Sequence, residues 1–142
     1  SRTDSRAVYG IDDAIERTKR YIDAGAEICF ADGIGTREEL EKFAKELSGS
    51  GAYLVANMIE GGKTPLIPAK ELEQMGFSLV FWACSAVYTI SKALYDLFGN
   101  LAQDGTTEKS LDRMIEFSQF NSMIGLDTYK EYERKYKVDR DD

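Results

Sequence analysis

The side chains in this sequence that could bind and activate a small acid stand at four widely spaced positions. They are Arg2, Asp32, Asn57 and Glu60. An arginine beside an amide suits a carboxylate ligand, because the guanidinium offers a two-point ion pair and the amide adds a donor. The two acids could position or deprotonate a hydroxyl group. We therefore predict chemistry on a hydroxy acid, with Arg2 and Asp32 as catalytic residues and all four as substrate-binding residues.

Each of these residues also has an ordinary structural explanation. Arg2 and Asp4 could simply pair with each other. Asp32 could cap a turn, and Asn57 could satisfy loop backbone. For any one residue taken alone the structural explanation is favoured, but their joint position at the ends of predicted strands favours a site.

Three short apolar runs predict buried strands. They span residues 26–32, 52–58 and 77–84. Each run is continuously apolar rather than alternating, which is typical of parallel strands covered on both faces. Phe30, Ala56 and Trp82 are 26 residues apart in each interval. That spacing predicts one repeating strand–helix unit and places a fourth, earlier strand ending at residues 2–4.

Each predicted strand is followed by a helical pattern. The helices are expected over residues 12–24, 36–47, 69–75 and 86–101. Thr36 and Glu39 have the spacing of a capping box, which marks the start of the second helix. Four such units are half of a (β/α)8 TIM-type barrel, whose usual size is about 250 residues. An open doubly wound sheet is the competing α/β architecture, but the Gly-rich phosphate turn it would need is not found.

The last forty residues change character, and they predict extra C-terminal helices. We expect residues 1–103 to form the half barrel and residues 104–142 to form a helical arm. Asp127 or Thr128 is predicted to cap the last helix. Three tyrosines then follow at helical spacing, at Tyr129, Tyr132 and Tyr136. These aromatic side chains could cover the chain's own surface or pack on a neighbouring subunit, and we favour the second.

Composition limits the classes of partner. The 142 residues carry a formal net charge of −7 and include no His. The negative charge argues against nucleic acid and anionic membranes as partners, and the lack of His removes His-dependent nucleophilic sites and His-ligated zinc. Cys29 and Cys84 lie in apolar runs, which predicts buried thiols in a reducing compartment. With no long apolar stretch, a cytoplasmic protein is predicted.

The segment after the third predicted strand is rich in glycine. Gly61 and Gly62 would let the backbone approach a ligand closely, and Lys63 could reach an anion. The spacing is not that of a Walker loop.

Three motifs together carry a family resemblance. They are R-T-D-S-R-A at residues 2–7, A-N-M-I-E-G-G-K-T-P-L at residues 56–66, and D-R-M-I-E-F followed by G-L-D-x-Y at residues 112–129. The chain thereby resembles the isocitrate lyase/phosphoenolpyruvate mutase superfamily, including its methylisocitrate and dimethylmalate lyases, over its C-terminal half. The resemblance implies a (β/α)8 barrel, a Mg²⁺ cofactor and a pyruvate-like enolate intermediate. It also implies a homotetramer whose C-terminal helices are swapped between subunits.

The resemblance assigns roles to individual residues. Arg2 matches the arginine that binds a substrate carboxylate, and Asn57 matches an asparagine at the same end of the substrate. Asp32 stands where the lyases usually carry Glu and the mutases carry His. Because this chain has no His, the resemblance favours a Mg-dependent carbon–carbon lyase acting on a 2-hydroxy di- or tricarboxylate. The turn at residues 83–84 lacks the proline that the lyases usually have, which leaves the substrate open.

The family's Mg²⁺-binding acids and its mobile Cys-containing loop lie in the barrel half before Arg2, so no metal ligand is predicted in this chain. Cys84 is not expected to replace that loop, since it lies on the last predicted strand rather than on a mobile loop. The sequence is therefore expected to be part of a longer enzyme, with a genuine half barrel as the alternative. Alternative functions are an oxaloacetate decarboxylase or hydrolase, a phosphonomutase-type enzyme, or a non-catalytic half barrel that assembles with partners.

Overall fold

The chain forms an α/β structure around one parallel sheet. The computed structural model describes residues 1–137. The strands are β1 (Arg2–Thr3), β2 (Ile28–Ala31), β3 (Tyr53–Met58) and β4 (Leu79–Trp82). All neighbours pair in parallel, and the order in the sheet is β1-β2-β3-β4. The four predicted strands are confirmed, and β2, β3 and β4 are each shorter than the apolar run that predicted them.

Helices alternate with the strands and then continue alone. They are α1 (Arg6–Tyr9), α2 (Ile11–Asp23), α3 (Arg37–Glu46), α4 (Ala69–Met75), α5 (Ser85–Asp104), a 3₁₀ helix (Glu108–Arg113), α6 (Phe117–Met123) and α7 (Leu126–Tyr136). The four predicted helices correspond to α2 to α5. The short helix α1 was not predicted, because four residues are too few for a helical period to show.

The predicted cap of the last helix is wrong. Helix α7 begins at Leu126 and is preceded by Gly125, not by Asp127 or Thr128. Gly125 has a φ of 74°, in the left-handed region that favours glycine. Its carbonyl oxygen accepts the Thr128 N–H at 3.0 Å. Glycine therefore allows the chain to leave α6 and enter α7 within two residues.

One face of the sheet packs on the helices and forms the core. Cys29, Ala31, Leu54, Ala56 and Met58 are its buried strand residues. Helix α3 contributes Phe43, whose ring stacks on that of Phe77 with centroids 6.4 Å apart. Full burial of a side chain of this size is worth about 1.5–3 kcal/mol, so these contacts fix the helices to the sheet.

The opposite face of the sheet is largely open, although Val55 in its middle is buried. It presents Ile28, Tyr53, Leu79 and Phe81, of which Tyr53 is 60% exposed and Phe81 39% exposed. Continuous apolar strands were predicted to be covered on both faces. Residues 1–137 cover only one face, so the apolarity of the other face is not explained by contacts within the described chain.

Contacts divide the chain into a unit of Ser1–Lys92 and a second unit that begins at Ala93, within α5. In the second unit, Asn100 Nδ2 donates to Ser110 Oγ at 3.2 Å, and Lys109 pairs with Asp104 at 2.8 Å. Tyr129 on α7 is 68% exposed. The predicted boundary at residue 103 and the packing of an arm on another subunit stay predictions. Across residues 1–137, every helix is too short or too polar to cross a bilayer.

Candidate functional site

A cavity of about 220 Å³ lies at the carboxyl ends of β1, β2 and β3. Its lining includes Asp4, Asp32, Asn57, Ile59, Gly62 and Lys63. A larger cavity of about 600 Å³ lies between α4 and the start of β4. Ligands of parallel α/β sheets bind at the carboxyl ends of strands. The smaller cavity is therefore the better candidate site.

Arg2 is held at this edge by two carboxylates. Its Nη2 atom lies 2.7 Å from Asp4 Oδ1 and 2.8 Å from Asp32 Oδ2, and its Nε donates to Asp4 Oδ1 at 3.0 Å. The guanidinium also lies over the Phe30 ring, 5.3 Å from the centroid. The hydrogen bond to Asp4 and the charge of Asp32 raise the pKa of Arg2, so Arg2 is a permanent cation.

Strand register explains this arrangement. Arg2 pairs with Phe30 across β1 and β2, and in-register residues of parallel strands point to the same face. Asp32 lies two residues after Phe30 and returns to that face. The pairing of Arg2 with Asp4, the structural alternative, is also present. Among residues 1–137 the Nη1 group of Arg2 has no hydrogen-bond partner, so its two donors are available to a ligand.

Asn57 lies on the same side of the sheet, opposite Phe81 in register. It lines the cavity, and its Oδ1 atom is buried without a hydrogen-bond partner among the described residues. Buried amide oxygens nearly always accept a hydrogen bond. Asn57 therefore offers an unused polar group to a bound molecule, and the structure brings it together with Arg2 and Asp32.

Glu60, like Arg2, does not itself line the cavity that Asn57 shares with Asp32. Arg2 is bonded to Asp4 and Asp32 of that lining, whereas the Glu60 Oε1 atom accepts a short hydrogen bond from Ser85 Oγ. The bond from Ser85 and then its own backbone N–H lower the pKa of Glu60. The Oε2 atom is buried without a partner among the described residues. The sequence predicted no role for Ser85, and its bond to Glu60 was not predicted.

A second network, also not predicted, fixes the loop that carries Asp32. Glu39 Oε2 lies 2.8 Å from Arg6 Nη2 and accepts the Gly35 N–H at 2.8 Å. Thr36 Oγ1 accepts the Glu39 N–H at 3.2 Å, which confirms the capping box. Burial alone would raise the pKa of Glu39, but the Gly35 and Arg6 hydrogen bonds lower it. The capping-box glutamate was the sequence signal for this network.

The two cysteines differ in exposure. Cys29 is buried, as predicted, but Cys84 is only half-buried, so the prediction of two buried thiols is wrong for Cys84. Strand β4 ends at Trp82, which leaves Cys84 in the turn before α5, outside the packed face. A hydrogen bond to Cys84 raises the pKa of the Tyr88 hydroxyl.

The described residues do not form a metal site on their own. In the part of the chain from 1 to 137, no group of three or more His, Cys, Asp or Glu side chains could hold a metal ion. The nearest carboxylates in the cavity, Asp4 and Asp32, both bind Arg2. A metal at this site would need ligands from outside the described residues.

Comparison with known proteins identifies the family of this chain. Residues 1–102 match the family model described as phosphoenolpyruvate phosphomutase. The chain is 39% identical over 140 residues to 2,3-dimethylmalate lyase of Eubacterium barkeri, covering 99% of this chain and 47% of that protein. It is 33% identical over 135 residues to 2-methylisocitrate lyase of Aeropyrum pernix, covering 95% of this chain and 42% of that protein.

A solved structure agrees with these relatives. The crystal structure of a 2,3-dimethylmalate lyase, a PEP mutase/isocitrate lyase superfamily member, superposes with a TM-score of 0.80 at 30% identity, over 94% of this chain and 46% of that one. The chain thus spans less than half the length of the relatives it matches. The solved neighbours are TIM-barrel-type proteins, which confirms the predicted half-barrel fold. The chain belongs to the phosphoenolpyruvate mutase/isocitrate lyase superfamily.

Proposed function

We propose that the protein containing this chain is a carbon–carbon lyase that cleaves a 2-hydroxy di- or tricarboxylate of the dimethylmalate or methylisocitrate type. The observation that carries the proposal is that Asp32 and Asn57 line one cavity at the carboxyl edge of the sheet, with Arg2 bonded to Asp32. The names of the two relatives, a 2,3-dimethylmalate lyase and a 2-methylisocitrate lyase, support the substrate class.

The reaction is a retro-aldol cleavage. The proton of the 2-hydroxyl group leaves, and its oxygen becomes the carbonyl oxygen of a 2-oxo acid. The carbon–carbon bond breaks, and its electron pair passes to the departing carboxylate-bearing fragment, which then takes up a proton. Negative charge therefore grows on that fragment, where fixed hydrogen-bond donors stabilise the transition state.

Arg2 and Asn57 bind the departing fragment. The Nη1 donors of Arg2 have no partner among the described residues, so a carboxylate can bind there while the pairs with Asp4 and Asp32 stay in place. Asp32 orients Arg2 through the 2.8 Å contact. Because its side chain is one methylene shorter than that of Glu, we assign Asp32 two roles: it orients Arg2 and binds the nearest hydroxyl group of the substrate. Glu60, which follows the end of β3, is proposed as a further substrate-binding residue. Its side chain is held by the hydrogen bond from Ser85.

The remaining features of the whole enzyme follow the family resemblance. Mg²⁺, held by acids outside the described residues, would supply electrostatic stabilisation of the negative charge that develops during cleavage. We also propose a homotetramer with swapped C-terminal helices. The exposed tyrosines of α7, such as Tyr129 and Tyr136, support a protein contact there. A cytoplasmic location fits a metabolic lyase.

The test is product analysis with Mg²⁺ present. The protein that carries this chain is incubated with 2,3-dimethylmalate, 2-methylisocitrate or oxaloacetate, and the acids released are measured. We expect a 2-oxo acid from one of the first two substrates, in a one-to-one ratio with the second fragment. Oxalate and acetate from oxaloacetate would instead indicate a hydrolase, and CO₂ would indicate a decarboxylase. No turnover of any substrate would leave a binding or assembly role.

A further inference from the structure

The cavity at the strand ends has an unusual charge balance for a site that takes an anion. Arg2 carries one positive charge and is paired with two carboxylates, Asp4 and Asp32. These three groups together have a net charge of −1. One carboxylate of a ligand can use the outer donors of Arg2, but a second would be repelled. The site therefore needs another cation to accept a dianion.

Lys63 is the cation that the cavity lining supplies. Its side chain is exposed, and it makes no ion pair within the described part of the chain. The other charged groups of the lining are Asp4 and Asp32. Lys63 therefore brings this set of charges to neutrality before a ligand binds, and its ammonium is not committed to a carboxylate of the protein.

The backbone before Lys63 is held in a tight turn. The Gly62 N–H donates to the Ile59 carbonyl at 3.0 Å, and Gly61 has a φ of 72°. A Cβ atom on Gly62 would lie 3.0 Å from the Ile59 oxygen and 3.1 Å from its Cβ. Glycine is thus favoured at both positions. The turn fixes the backbone position from which the Lys63 side chain extends.

The backbone after Lys63 is also fixed. The Ile67 N–H donates to the Sδ atom of Met58 at 3.4 Å, and both residues are in the core. Pro65 removes further backbone freedom between these anchors. Because both ends of this loop are bonded to residues at the end of β3, the fold fixes the position of the Lys63 backbone at the cavity.

We propose that Lys63 is a substrate-binding residue that pairs with a second carboxylate, while Arg2 and Asn57 bind the first. This inference rests on the proposed function and names the residue that would recognise the second carboxylate of its substrate. A monocarboxylate would leave Lys63 unpaired and gain nothing from it. The cavity of about 220 Å³ has the volume of roughly seven water molecules at about 30 Å³ each, which suits a small dicarboxylate.

The experiment measures binding of two unreactive probes to the full chain by calorimetry. Succinate is the dianion and propionate is the monoanion. For Lys63→Gln we expect succinate affinity to fall about threefold to fivefold, as for one accessible ion pair, and propionate affinity to stay within about twofold. Lys63→Arg should retain succinate binding. The control is Lys70→Gln, which makes the same charge change at an exposed lysine on α4 and should alter neither affinity.

Three results would overturn the inference. The first is a Lys63→Gln chain that binds succinate like the wild type, and the second is an equal loss for succinate and propionate. The third is a wild-type chain that binds succinate no more tightly than propionate. Product analysis is independent of these measurements. If the chain uses Lys63 for succinate but the protein that carries it cleaves no substrate, the lyase proposal alone is contradicted. An active lyase indifferent to Lys63 contradicts this inference alone.

Discussion

Arg2 and Asp32 lie on adjacent parallel strands and meet at the carboxyl edge of the sheet, where Arg2 Nη2 donates to Asp32 Oδ2 at 2.8 Å. The same guanidinium binds Asp4 through two nitrogens. Only a planar fork can serve both carboxylates and still present unused donors. The relationship therefore predicts that the shape of the arginine side chain matters as well as its charge.

Replacing Arg2 by Lys tests this directly. The variant keeps the positive charge but loses the fork, so it cannot hold both carboxylates and a ligand at once. We expect kcat/KM of the proposed lyase to fall about tenfold to a hundredfold, the usual worth of charge-assisted hydrogen bonds. Steady-state kinetics on the substrate found by product analysis measures this effect.

The matched control for Arg2 is Arg37. It also binds two carboxylates, with Nε 3.1 Å from Glu41 and Nη1 2.7 Å from Glu71, but it lies on α3 outside the cavity. Arg37→Lys should leave kcat/KM unchanged. An equal loss in both variants would mean that Arg2 acts only through stability.

Asn57→Leu separates binding from stability. The buried Oδ1 atom has no partner among the described residues, and an unsatisfied buried polar atom costs about 1–3 kcal/mol. Leu has a similar shape, so the free energy of unfolding should stay equal or rise while succinate affinity falls. Denaturant unfolding and calorimetry measure the two quantities.

Thr18→Val is the contrasting variant for Asn57→Leu, since Thr18 is buried but its hydroxyl donates to the Ala14 carbonyl at 2.8 Å. Loss of that satisfied bond should destabilise by about 1 kcal/mol. If Asn57→Leu destabilises as much or more, Oδ1 is satisfied in the folded protein and the predicted stability gain is wrong.

Gly35→Ala should destabilise the loop that carries Asp32. A Cβ at Gly35 would lie 2.4 Å from Arg6 Nη2 and 2.9 Å from Arg6 Cζ, so the guanidinium must leave Glu39. Loss of this half-buried ion pair should cost about 1–2 kcal/mol. Gly99→Ala is the control, because nothing lies within 4 Å of its Cβ position and α5 should gain about 0.5–1 kcal/mol.

A double variant shows whether crowding of Arg6 causes the loss of stability in Gly35→Ala. In Arg6→Ala/Gly35→Ala the crowded side chain is absent, so the second substitution should add little to the first. Full additivity of the two unfolding free energies would instead place the strain in the backbone of the loop.

Ser85→Ala should change the titration of Glu60. The Ser85 hydrogen bond is the largest cause that lowers the pKa of this carboxyl below its ordinary value of 4.5. A lowered folded pKa stabilises the protein above the unfolded pKa, and this stabilisation is lost as the pH falls through the folded value. Without Ser85 the Glu60 pKa should rise toward 4.5, as measured by carbon NMR of the side chain. An unchanged pKa would show that the bond does not form in solution.

Much of the fold could be predicted from local pattern. Apolar runs located the strands, their repeat predicted a parallel order, and the residues after each run located the edge where Arg2, Asp32 and Asn57 meet. The Thr36 cap was also visible, because it depends on residues three positions apart. Each of these features depends on residues within one strand–helix unit, so it can be predicted from a single sequence.

The sequence repeat did not determine the register of the sheet. Phe30 and Ala56 hold equivalent positions in the 26-residue repeat, yet Phe30 pairs with Val55. Phe30 lies with Arg2 on the open face, whereas Ala56 is in the core. A shift of one residue changes the face to which every side chain points, so only the packed sheet determines which side chains share the site.

By itself, then, the sequence determined the strand–helix order, the family, and the edge of the sheet that carries the polar residues. The tertiary structure decided which distant groups bind one another: Arg2 with Asp32, Glu60 with Ser85, and Arg6 with Glu39 across Gly35. The physical reason is range. Periodicity and caps arise between residues a few positions apart, whereas each of these partners lies on a different turn, strand or helix and competes with others for the same short-range hydrogen bond.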